Sequence, residues 1–99
     1  MITHGGLGNT LRALAHGIPL LLLPLGRDQQ FNASRVVELG AGIRVPVESS
    51  PDEIASALLE LLAQPPFRKA AQDAAAAIAR DKPDQTAAAA LSGLRRFAR

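Results

Sequence analysis

The chain has 99 residues, of which 47% are apolar and 20% charged, with a formal net charge of +2. That length holds one small domain, the composition is that of a globular chain, and the charge is too small to point to a polyanion such as nucleic acid. Cysteine is absent and the three aromatic residues are all Phe, which excludes disulfides, thiolate chemistry, Cys-based metal sites and a stacking platform for single strands.

Met1-Ile2-Thr3 is a short apolar stub that enters His4-Gly5-Gly6. Leu7, Leu11, Leu14 and Ala15 then recur at helical spacing, and Gly17 stands where that helix would end in a left-handed turn. Residues 19–24, bounded by Pro19 and Pro24, read as a strand apolar on both faces, as parallel strands are when helices cover both sides. The whole run of residues 18–25 is too short to span a bilayer, and its prolines make it a poor signal peptide.

Leu25-Gly26-Arg27-Asp28 reads as a loop, with Asp28 the candidate N-cap of a helix running to Leu39. That helix is expected to turn Phe31, Ala33, Val36 and Val37 inward and to stop at Gly40. Residues 43–47 make another short strand. Ser50-Pro51-Asp52-Glu53 has the form of a capping box with proline at the first helical position. Ile54, Leu58, Leu61 and Leu62 give the ensuing helix a buried stripe. Pro65-Pro66 breaks the chain before an Ala-rich helix ending near Arg80. Pro83 opens a last helix ending near Phe97, where Arg95, Arg96 and Arg99 complement the helix dipole. The order is β-α-β-α-β followed by three helices, which predicts an α/β fold with a parallel sheet.

In such a fold the loops that leave successive parallel strands lie on one edge of the sheet, where ligands bind. His4-Gly5-Gly6 leaves the first strand, and residues 25–29 leave the second. Gly5, Gly6 and Gly8 let backbone approach a ligand closely, and free N–H groups at the start of the next helix favour an anion. His4 adds a side-chain donor, while Asn9 and Thr10 are short polar groups on the first turn. That set suits a pyrophosphate. Asp28 and Gln29 offer acceptors and donors of the kind that hold sugar hydroxyls. One edge for phosphate and one for sugar is the layout that a nucleotide-sugar requires.

Each piece alone is weak. Gly6-Leu7-Gly8-Asn9-Thr10-Leu11 begins like GxGxxG but has Leu11 in place of the third glycine, and no Lys-Ser/Thr pair makes a P-loop. A lone histidine such as His4 is more often structural, His16 beside Gly17 reads as a surface residue that complements the helix dipole, and Asp28 could serve merely as a cap.

The combination is more specific. His4-Gly5-Gly6, then Ala15-His16-Gly17-Ile18-Pro19, then Pro24 and Asp28-Gln29-Gln30-Phe31-Asn32-Ala33 resembles the donor-binding signature of the UDP-glycosyltransferase superfamily, closest to bacterial members that glycosylate macrolides and similar aglycones. The specific motifs cover residues 1–47, and the helical tail matches only in layout. The resemblance implies the C-terminal part of a GT-B domain: a partial Rossmann-like parallel sheet with the donor site in residues 1–47, and a helical tail over 48–99. It implies that His4 and the backbone at Gly5, Gly6 and Gly8 meet the donor pyrophosphate. Asn9 and Thr10 stand where the family places a hydroxyl residue on a phosphate, and Asp28 and Gln29 match the pair that grips the donor sugar. Two departures are visible. Arg12 stands where many members carry a ribose-binding glutamate, and Asn9 replaces the commoner Ser or Thr.

The implied function is nucleotide-sugar-dependent hexosyl transfer to a small-molecule acceptor by a cytoplasmic enzyme without cofactor or metal. The family's acceptor pocket and catalytic base belong to an N-terminal domain with no counterpart here. No catalytic residue is therefore expected in this chain, and the isolated chain is expected to be inactive as a truncated, mis-started or split gene product. The alternatives are another GT-B enzyme, such as a nucleotide-sugar epimerase, and a non-enzymatic interaction module built on the Ala-rich helices.

Overall fold

The computed structural model describes residues 1–80. Three parallel strands, β1 (Ile2–Thr3), β2 (Leu20–Leu22) and β3 (Gly42–Arg44), form one sheet in the order β1-β2-β3. Helix α1 (Leu7–Ala15) links β1 to β2, and α2 (Arg27–Leu39) links β2 to β3. Helices α3 (Pro51–Ala63) and α4 (Pro65–Arg80) follow. The parallel α/β arrangement is the expected one. The helix expected over 83–97, with its three arginines, lies outside the described residues.

Strand β2 organises the core because its leucines alternate between two layers. Leu20 and Leu22 pack with Ala13, Leu14, Ala33, Val36 and the alanines of α4, whereas Leu21 and Leu23 pack with Ala57, Leu61 and half-buried Ile54, Leu58 and Phe67. Helices α1, α2 and α4 thus cover one face and α3 the other. This is why the run is apolar at every position. The alanines of α4 have a packing role: Ala71, Ala74 and Ala77 recur on one face and are buried. Small side chains let that helix lie close to α1, where a Cβ added at Gly17 would come within 3.3 Å of Gln72.

The strands are shorter than the sequence suggests. Residues 19, 23 and 24 flank β2 without belonging to it, and β3 begins at Gly42 and ends at Arg44 rather than spanning 43–47. The register places Gly42 opposite Leu20, where a Cβ would lie 2.5 Å from the Leu20 carbonyl oxygen and 2.8 Å from Val36. Only glycine lets α2 turn into the sheet so tightly. Both glycine stops hold, with φ of 69° at Gly17 and 77° at Gly40. The capping box at α3 also forms. Ser50 Oγ accepts from the Glu53 amide at 3.2 Å, and Glu53 Oε1 accepts from the Ser50 amide at 2.8 Å.

Several inward positions need correction. Phe31 and Val37 are 50% and 42% exposed, and Leu62 is 61% exposed; Ala15 is exposed as well. On α2 the inward place beside Ala33 and Val36 goes to Asn32, whose side chain finds a backbone partner described below. Phe31 is rotated outward, where the Arg35 guanidinium stacks over its ring at 4.9 Å. Asp28 is not the cap of α2 either: Gly26 holds that position and Asp28 lies in the first turn.

Candidate donor-binding site

The carboxyl ends of β1 and β2 bring the two predicted loops together. Gly5 takes φ of 95°, and a Cβ there would stand 3.1 Å from the Gln29 carbonyl oxygen. The glycine is what lets one loop rest on the other. Gly5 N donates to Thr3 Oγ1 at 3.2 Å, and Asn32 Nδ2 donates to the Gly5 carbonyl at 2.8 Å. Gly6, Leu7, Asp28, Gln29, Phe31 and Asn32 line one cleft of about 370 Å³. The glycine loop and the Asp28-Gln29 pair therefore share a single depression.

Gly6 caps α1 without a side-chain hydrogen bond, and no acidic residue lies in the helix's first turn. The first backbone bond of the helix runs from the Thr10 amide to the Gly6 carbonyl. The amides of Gly6, Leu7, Gly8 and Asn9 meet no acceptor among the described residues. Four consecutive unpaired donors at the positive end of a helix make an anion-binding surface. Gly8 leaves that surface open, since nothing lies within 4 Å of a Cβ added there. Asn9 is exposed.

Thr10, expected next to Asn9 on the exposed turn, is instead fully buried, and its Oγ1 has no partner. Its place three residues after Leu7 and four before Leu14 puts it on the buried stripe of α1, while Asn9 is turned one helical step away. Its hydroxyl does not reach the surface on which the amides open.

The remaining polar groups have defined hydrogen-bond directions. His4 Nδ1 lies 2.9 Å from the Leu23 carbonyl oxygen. A carbonyl only accepts, so Nδ1 carries a proton and Nε2 is the ring nitrogen left for a ligand. Gln29 Oε1 accepts from the Leu25 amide at 2.9 Å and the Gly26 amide at 3.4 Å. Those two donors fix its amide orientation, so Gln29 offers a ligand its Nε2 donors. Asp28, exposed beside it, supplies the acceptors. His16 also falls where expected, exposed, with Nδ1 on the Arg12 carbonyl at 2.8 Å. Arg12 is exposed on the second turn of α1 and lines neither cleft.

A larger cleft of about 540 Å³ lies beyond β2 and β3, between residues that include Leu25, Gln30, Arg44 and Glu48. It contains none of the predicted donor-binding residues. Leu7, Phe31 and Asn32 line the smaller cleft although sequence reasoning assigned them no site role; of these only Asn32 is polar, and its place in the run Asp28-Gln29-Gln30-Phe31-Asn32 is the one signal that could have drawn attention to it.

Residues 1–92 match the family described as the erythromycin biosynthesis protein CIII-like C-terminal domain. The chain belongs to that family. It is 44% identical over 75 residues to the elloramycin glycosyltransferase of Streptomyces olivaceus, covering 76% of this chain and 18% of that protein. It is 39% identical over 71 residues to the 3-alpha-mycarosylerythronolide B desosaminyl transferase of Saccharopolyspora erythraea, covering 71% of this chain and 17% of the relative. The crystal structure of the glycotransferase of kitacinnamycin superposes on 98% of the chain with a TM-score of 0.71 and 28% identity, over 23% of its own length. The chain thus spans under a quarter of the length of these proteins. Nothing in these similarities favours the epimerase or helical-module alternatives. No helix among the described residues is long and apolar enough to cross a membrane.

Proposed function

We propose that this chain supplies the donor half-site of a cytoplasmic glycosyltransferase that moves a hexose from a nucleotide-sugar to a small-molecule acceptor. The observation that carries the reading is the row of free amides from Gly6 to Asn9, whose first two residues share one cleft with the Asp28-Gln29 pair. The glycine loop, with Gly5 setting its turn, and the Gly6 and Gly8 amides hold the pyrophosphate. Asn9 rather than buried Thr10 adds the side-chain contact there. Asp28 accepts from hexose hydroxyls and Gln29 Nε2 donates to them.

In glycosyl transfer, the acceptor oxygen attacks the anomeric carbon while the bond to the diphosphate breaks. Negative charge grows on the leaving phosphate oxygen, and preorganised N–H donors aimed at that oxygen lower the barrier. This is the share of the reaction that these residues can perform. An acceptor pocket and a base for the acceptor hydroxyl are assigned to an N-terminal domain, with neither cofactor nor metal invoked.

The experiment is a thermal-shift titration of the 99-residue chain with UDP and dTDP, with a turnover assay on the corresponding sugars. At a ligand concentration 100 times the dissociation constant, binding to the folded chain stabilises it by roughly 2.7 kcal/mol. Stabilisation without turnover is expected. No stabilisation by either nucleotide would overturn the donor-site reading, and turnover by the chain alone would overturn the assignment of the base to another domain.

A further inference from the structure

Asn32 is the polar side chain that α2 turns into its apolar face. It is 6% exposed, next to Ala33 and Val36, which are fully buried. Burying an amide there costs stability unless it is hydrogen-bonded. Its Nδ2 reaches across 27 residues of sequence to the Gly5 carbonyl at 2.8 Å.

The consequence lies in the other half of the same peptide unit. The bond between Gly5 and Gly6 is planar and trans, so its C=O and N–H point in opposite directions. Holding the Gly5 oxygen against Asn32 therefore aims the Gly6 N–H to the opposite side, and Gly6 N is the first of the four amides without an acceptor. The peptide has glycine on both sides, so it is the unit of the loop freest to flip. Flipped, it would present a carbonyl oxygen where the anion's donor should be. The Thr3 hydroxyl, bound to the Gly5 amide at 3.2 Å, restrains the preceding peptide and not this one.

We infer that Asn32 is a positioning residue of the donor site, one that selects the orientation of the Gly5-Gly6 peptide in which the Gly6 amide can bind a diphosphate. It touches the loop, and the loop touches the ligand. The inference rests on the donor-site reading above and adds a residue that reading does not use. It also gives a reason for a buried asparagine at the cleft wall: the same side chain lines the depression that holds Asp28 and Gln29, so the phosphate loop and the sugar pair are set from one helix.

The test uses the 99-residue chain with UDP as the probe, followed by calorimetry and by backbone amide NMR. Asn32→Asp keeps the shape but replaces the donor with a carboxylate that repels the Gly5 oxygen. Asn32→Ser is too short to reach it. If the binding-competent peptide orientation falls to a tenth of the population, apparent UDP affinity falls about tenfold. The Gly6 amide resonance of the free variant should move, and its response to UDP should shrink, while the Gly8 and Asn9 amides still respond. A purely structural asparagine would lower the melting temperature and leave the affinity of the folded variant and the Gly6 response unchanged. That result would overturn the inference, and so would unfolding of both variants, which would assign Asn32 to the core alone. Failure of the wild-type chain to bind UDP is a separate outcome, which would remove the donor-site reading and this inference with it.

Discussion

At the scale of single residues, the hydrogen bond of His4 decides what its ring can do. With Nδ1–H given to the Leu23 carbonyl, Nε2 is the ring nitrogen left for a ligand. Gln29 illustrates the same logic, because two backbone amides claim its oxygen and leave it a pure donor. Its pairing with Asp28 thus gives one donor residue and one acceptor residue for neighbouring hydroxyls.

At the scale of elements, local chemistry sets the helix ends, and the capping box of α3 is the clearest case. Ser50→Ala removes the acceptor for the Glu53 amide and should cost about 1 kcal/mol, read as a lowered denaturation midpoint. The Ser50 amide, and then its hydroxyl, hold the Glu53 carboxyl below its ordinary pKa. A carboxyl depressed in the folded state stabilises fully above the ordinary carboxylate range and loses that contribution as pH falls through its lowered value. Because Ser50→Ala keeps the Ser50 amide, the pH test uses Glu53→Ala: the gap between it and the wild type should narrow in acid, and a gap that is constant with pH would separate the box from the Glu53 carboxylate. Elements of this kind were legible in the sequence because both partners lie within three residues. So were the glycine stops at Gly17 and Gly40, and the doubly buried β2, whose alternating leucines need two layers of helices. Asn32 and Thr10 were not legible. The partner of Asn32 lies 27 residues away, and a polar residue on a helical stripe reads as a surface position until a carbonyl is brought to it. The start of β3 at Gly42 was missed for a similar reason, since its need for glycine comes from Leu20 and Val36 rather than from its neighbours in sequence.

At the scale of the whole molecule, the proposed donor site joins two helix starts on one small sheet. Parallel order places the loops after β1 and β2 side by side, and α1 and α2 then present their amino ends to one depression. The two helix starts differ in one decisive respect. That of α1 has a free N-cap amide at Gly6 and no acidic residue in its first turn, whereas at α2 the Gly26 amide is taken by Gln29 and the Asp28 carboxylate stands in the first turn, where it repels an anion. In the proposed reading the anion therefore sits at α1 and the neutral, hydroxyl-rich part of the ligand at α2.

This division of labour is the central claim, and a crossed titration measures it most directly. The wild-type chain, His4→Ala and Asp28→Ala are each titrated with UDP and with the matching UDP-sugar by calorimetry at one pH. His4→Ala should weaken both ligands by a similar factor, corresponding to about 0.5–3 kcal/mol for one lost charge-assisted or neutral hydrogen bond. Asp28→Ala should leave UDP nearly unchanged and weaken only the additional affinity that the sugar contributes. Equal losses of UDP affinity from the two substitutions would contradict the account, because phosphate and sugar would then not be read by separate edges of the cleft.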